Sequence, residues 1–117
     1  MGGARRSDVA CLGIDVEALG SVTAEVFDVL FVESERVAIA QGIDPTTLCC
    51  CKEAVYKAVY PAFREFFDFA DLAVAADATR FRARPRRTLR SESAILAGEG
   101  HILQVADHVL ACFCVRG

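Results

Sequence analysis

Asp15 and Glu17 stand two residues apart at the end of an apolar run, and Glu53 and Lys57 stand four apart in a run of helical period. On a strand, residues two apart point to the same face, so the first pair places two carboxylates side by side. Such a pair is commonly a solvated strand end, but its repulsion would be relieved by a divalent cation. On a helix, residues four apart share a face; a Glu followed by Lys at that spacing is by itself a surface pair worth about 0.2–0.5 kcal/mol. If the helix crosses the end of the strand, three carboxylates and one ammonium converge. Mg²⁺ takes oxygen ligands in an octahedral shell and usually keeps waters or substrate phosphates in it. Acids that hold such an ion, beside a lysine, make the composition of a phosphate-handling site.

The elements that must position these groups are legible in the pattern. Val9–Val16 reads as a buried strand that emerges at Asp15 and Glu17. Asp44-Pro45-Thr46 is a helix start, with Asp as cap and Pro in the first turn. The helix it launches places Leu48, Cys51, Val55, Ala58, Val59 and Ala62 on one apolar stripe, with Glu53 and Lys57 roughly opposite, and Pro61 closes the run near Tyr60. Between strand and helix, Thr23 is a cap candidate for a short helix over 24–30, and a second helix follows over 31–39, stopped by Gln41-Gly42.

Beyond the long helix, the phenylalanines at 63, 66, 67 and 69 read as core. Residues 71–76 and 80–84 read as strands, the second with Phe81 and Ala83 inward and three arginines outward; residues 86–97 form a short helix or loop. Strands at 101–105 and 109–115 form a hairpin. The predicted class is α+β: an antiparallel sheet packed on one long helix.

The 117 residues make a single domain, 1–117, with 1–7 frayed. Arg80, Arg82, Arg84, Arg86, Arg87 and Arg90 hold six of the 13 basic residues, yet the net charge is −3, which argues against a nucleic-acid partner. Cys49, Cys50 and Cys51 are contiguous, Cys112 and Cys114 alternate within an apolar run, and there is no Cys-x-x-Cys. The six thiols therefore read as reduced and structural, in a cytoplasmic protein. No apolar run approaches the length of a membrane span, and no targeting segment is visible.

Two motifs carry a resemblance. Gly13-Ile-Asp15-Val-Glu17 and Lys52-Glu53-Ala-Val-Tyr-Lys57 resemble, in type and spacing, the paired signature of the 4′-phosphopantetheinyl transferases. Phe31-Val-Glu-Ser-Glu35 is similar to a Phe-Thr-x-x-Glu stretch of that family. Tyr60-Pro61 and Phe66-Phe67-Asp68-Phe69 resemble the segment after the helix in the enterobactin-synthetase-like members. The resemblance implies a fold equivalent to one half of the long type's pseudodimer, resembling its C-terminal half. It also implies a missing N-terminal half, or a homo-oligomer, to complete the pocket.

The implied activity is Mg²⁺-dependent transfer of 4′-phosphopantetheine from coenzyme A to a serine of an acyl or peptidyl carrier protein, as in secondary metabolite biosynthesis. Asp15, Glu17 and Glu53 would hold the metal. Lys57 would contact the phosphates and support the leaving group, Lys52 would be a further cation near coenzyme A, and Glu53 or a water it orients would be the base. Arg80, Arg82 and Arg84 would dock the acidic helix of the carrier. Cys49 occupies a position usually Phe or Trp in the family. The alternative is a truncated or degenerate domain of the same fold that binds carrier protein or coenzyme A without turnover.

Overall fold

In the computed structural model, which describes residues 10–23 and 27–116, five strands form one antiparallel sheet. The elements run β1 Cys11–Ala18, α1 Phe27–Leu30, α2 Glu33–Ala40, α3 Pro45–Phe63, a 3₁₀ turn Phe69–Asp71, β2 Leu72–Ala76, β3 Arg80–Pro85, α4 Glu92–Ala97, β4 Glu99–Val105 and β5 His108–Val115. The strand order is β1-β5-β4-β3-β2, so the chain's first strand pairs with its last. The expected α+β class, an antiparallel sheet packed on one long helix, is the observed one.

The long helix α3 lies on one face of the sheet, chiefly against β1 and β5. Asp44 caps it as the sequence predicts: its Oδ1 accepts from Thr46 N at 2.8 Å, and Pro45 fills the first turn. Burial extends further round the helix than the predicted stripe. Cys49, Cys50, Lys52 and Ala54 join Leu48, Cys51, Val55, Ala58 and Val59 inside, while Ala62 is exposed. The helix also runs past Pro61 to Phe63, ending on Arg64 in the left-handed conformation (φ 50°). Proline removes one helical N–H donor. So near the end, that loss does not stop the helix.

Close approach of α3 to β1 requires Gly13. A Cβ there would collide with the backbone of Ala54 and Ala58. Strand β1 runs through to Ala18, paired residue by residue with β5 from Cys11↔Val115 to Ala18↔His108. Asp15 and Glu17 therefore lie within a paired strand rather than beyond its end. Alternation puts Gly13, Asp15 and Glu17 on the α3 side; Leu12, Ile14 and Val16 face the other way and are exposed. Leu103 and Val105 of β4 are exposed on that same outer face.

The remaining predicted elements match closely. The hairpin forms as β4–β5, turning at Ala106-Asp107 with Ala106 at φ 53°. Residues 86–97 contain the short helix α4. Helix α2 begins at Glu33 rather than 31, because Phe31 and Val32 are buried ahead of it. Part of the 24–30 helix, and the frayed start at 1–7, lie outside the described residues. All six cysteines are free thiols, as expected. No described helix is long and apolar enough to cross a membrane.

Candidate active site

Asp15 and Lys57 meet between β1 and α3. Lys57 Nζ donates to Asp15 Oδ1 at 2.7 Å; the Asp15 side chain is 8% exposed and that of Lys57 49%. The lysine thus reaches across to the strand instead of lying flat on its helix. That hydrogen bond is the main cause holding the Lys57 ammonium above its ordinary value, with Glu53 and Glu17 adding to it. The second oxygen of Asp15, Oδ2, is buried and has no hydrogen-bond partner among the described residues. A buried carboxylate oxygen left without a donor is costly and points to a missing partner.

Glu17 and Glu53 share this neighbourhood. The Glu17 carboxyl sits above its ordinary value, first through partial burial, then through the Asp15 carboxylate beside it, with Glu53 contributing and Lys57 opposing. The three acids are therefore close enough to feel one another. Among the described residues, no group of three or more His, Cys, Asp or Glu side chains is placed to hold a metal ion by itself. The donors are all carboxylate oxygens, one of them buried and unpartnered. That set fits a hard cation such as Mg²⁺ that completes its shell with water and substrate oxygens.

Lys52 lies elsewhere. It is fully buried, and Nζ donates to Glu35 Oε1, Leu30 O and Phe69 O, each at 2.7 Å. An ammonium has three donors, and all three are used. Burial holds it below its ordinary value, while Glu35 opposes that shift. Lys52 is not brought together with Asp15, Glu17, Glu53 and Lys57, and no donor remains for a coenzyme. Its carboxylate partner is equally committed: Glu35 Oε1 also accepts from Val32 N at 2.9 Å and Oε2 from Val74 N at 2.7 Å. This ion pair ties α2, α3 and β2 together. Through Leu30 O and Phe69 O, Lys52 also holds two of the residues that line a hollow of about 420 Å³. The sequence held Glu35 only as part of a motif, and nothing local separates it from its exposed neighbour Glu33.

Next to Glu53 on the α3 surface stands Tyr56. Its hydroxyl is pushed up by partial desolvation and by its neighbours Tyr60 and Glu53. Tyr56 stacks on Tyr60 (centroids 5.4 Å apart) and meets Phe67 edge-on at 5.1 Å; Tyr60 packs on Phe66 at 5.2 Å. The expectation that the phenylalanine cluster is core fails at Phe66, which is 73% exposed.

The arginines of β3 point away from this site. Phe81 and Ala83 are buried, and Arg80, Arg82 and Arg84 are exposed on the outer face, three strands from β1. The fold puts them on the opposite side of the sheet from Asp15. The three thiols of α3 are not poised as nucleophiles: burial pushes Cys49 and Cys50 up to about 12 and Cys51 higher still. Cys49 is 7% exposed on α3, one helical turn before Lys52.

No curated protein matches the chain. Among solved structures, the chain is similar to the holo-[acyl-carrier-protein] synthase of Thermotoga maritima, with a TM-score of 0.70 at 14% identity. The match covers 92% of this chain and 64% of that one, and at this identity it establishes the fold. Residues 11–113, which include both motifs, match the family model of the 4′-phosphopantetheinyl transferase superfamily. The chain belongs to the 4′-phosphopantetheinyl transferase superfamily.

Proposed function

We propose that the chain transfers the 4′-phosphopantetheine group of coenzyme A to a serine hydroxyl of an acyl or peptidyl carrier protein, with Mg²⁺. The observation that carries this reading is the buried, unpartnered Oδ2 of Asp15 beside Lys57, with Glu17 on the same strand face and Glu53 on the helix that packs there. Asp15, Glu17 and Glu53 would hold the cation, which supplies charge neutralisation at the pyrophosphate when bound.

The chemistry is a substitution at phosphorus. The serine Oγ forms the new P–O bond, and the bond from that phosphorus to the bridging pyrophosphate oxygen breaks. The leaving group is 3′,5′-ADP. The serine proton passes to Glu53 or to a water that Glu53 orients. Lys57, held at the mouth of the site by Asp15 and half in solvent, is placed to pair with the phosphate oxygens as negative charge moves to the leaving group. No protein nucleophile is required, and the neutral, buried thiols agree with that.

Self-association, or an N-terminal half, is proposed to complete the coenzyme pocket on the α3 side of the sheet; the exposed outer face at Leu12, Ile14 and Val16 is a separate apolar surface that a second copy could cover. The test is to mix the protein with coenzyme A, Mg²⁺ and an apo carrier protein and weigh the carrier. A gain of one phosphopantetheine mass is expected. No gain at any protein concentration overturns the reading, and calorimetric coenzyme A binding without transfer would identify a non-catalytic domain instead.

A further inference from the structure

The aromatic side chains beside Glu53 form a continuous shelf that leaves the candidate site. Tyr56 lies one turn from Glu53 on the same helix face, Tyr60 stacks on Tyr56, and Phe66 packs on Tyr60. Phe66 closes the shelf with most of its ring in solvent. The exposure is not that of a loose loop. Arg87 Nη2 donates to Phe66 O at 3.2 Å, and Arg87 is itself held by Asp71 at 3.1 Å. Glu65, the preceding residue, accepts from Arg90 N, Ser91 N and Ser91 Oγ at 2.7–3.1 Å. The Phe66 carbonyl and the side chain of the residue before it are fastened while most of the ring is left in solvent. Fixed, exposed aromatic side chains are what interface hot spots are made of, because little entropy is lost when they are covered.

We propose that this shelf is the docking surface for the acceptor protein, an inference that rests on the transfer reading. The acceptor hydroxyl must be delivered beside Glu53 and Lys57. At 1.5 Å per residue, Tyr60 stands about 10 Å along α3 from Glu53. The shelf therefore fits an acceptor whose serine is followed, about 10–15 Å away on the same surface, by an apolar side chain that lies on the exposed ring of Phe66. Arg64 stands over the Tyr60 ring at 5.5 Å, a cation that a carboxylate on the docked segment would pair with. The outer-face arginines offer charge on the wrong side of the sheet; the shelf offers contact area on the right one.

The test compares the wild type with Phe66→Ser, using a purified apo acyl carrier protein as acceptor. Phe66 is exposed, so the variant keeps the fold, checked by an unchanged circular dichroism spectrum. The expected result is a rise of about tenfold in KM for the carrier with kcat and KM for coenzyme A unchanged, as for loss of one aromatic anchor. An unchanged KM for the carrier overturns the proposal. So does an equal rise in KM for coenzyme A, which would make the shelf an adenine platform. Direct binding of fluorescently labelled carrier, read by anisotropy without coenzyme A, separates this from the transfer reading. Weakened binding to Phe66→Ser supports the docking surface even where no transfer occurs. Equal binding by both proteins, or none by either, overturns it.

Discussion

Lys57 Nζ bonds to one oxygen of Asp15 at 2.7 Å and leaves the other buried without a donor. A lysine that merely neutralised an aspartate would be a conventional ion pair. Here the carboxylate is half satisfied, from a helix that also carries Glu53, on a strand that also carries Glu17. The unsatisfied oxygen and the crowding of three acids are what the proposed cation would relieve.

Removing either end of that arrangement should end the chemistry. Asp15→Ala and Glu53→Ala are expected to abolish carrier modification, measured by mass. Mg²⁺ should raise the melting temperature of the wild type, because it binds the folded state alone. Asp15→Asn should lose that rise. Retained activity, or an equal rise in the variant, would refute the metal assignment.

The Glu35–Lys52 pair is fully buried at both ends. Glu35→Gln or Lys52→Met alone strands one charge or its partners in the interior, and a loss of about 3–5 kcal/mol is expected in urea denaturation. The double replacement Glu35→Leu with Lys52→Met should cost less than the two singles together. Additive losses would show that the two residues do not act as a pair.

Gly13→Ala forces a methyl group into the backbone of Ala54 and Ala58. A loss of about 1–3 kcal/mol is expected from overpacking, with β1 pushed from α3. Because Asp15 is on that strand and Glu53 on that helix, Mg²⁺ should stabilise this variant less than the wild type, read as a smaller shift in melting temperature.

Glu65 has a carboxyl held below its ordinary value of 4.5, first by the backbone N–H of Arg90 and also by Ser91. A carboxyl lowered on folding contributes stability above its unfolded value, lost as the pH falls through its folded one. Glu65→Gln should therefore be less stable than wild type at pH 7, and the difference should shrink below pH 4.5. Thermal melts across that range check it; a difference independent of pH would assign the loss to packing instead.

Ile14→Glu places a charge at the centre of the exposed outer face of β1. If copies of the chain cover that face, sedimentation should show a shift towards monomer with the fold retained. An unchanged sedimentation profile would count against self-association through this surface.

The sequence by itself determined the elements and the pairing of motifs. Asp44-Pro45 starts α3, alternation puts Asp15 and Glu17 on one face, and the helical repeat separates Glu53 and Lys57 from the core stripe; these are local rules of period and capping, which the chain obeys in place. The tertiary structure decided what each charge does. Lys52 and Lys57 look alike five residues apart, yet one is sealed under Leu30, Glu35 and Phe69 and the other reaches Asp15 at the surface, because α3 has the sheet on one side and α2 on another. The same holds for Phe66, which composition assigns to the core and the loop after α3 leaves in solvent, and for Arg82, which β3 turns away from the site. Burial and partnership depend on residues distant in sequence, and only the folded chain brings those together.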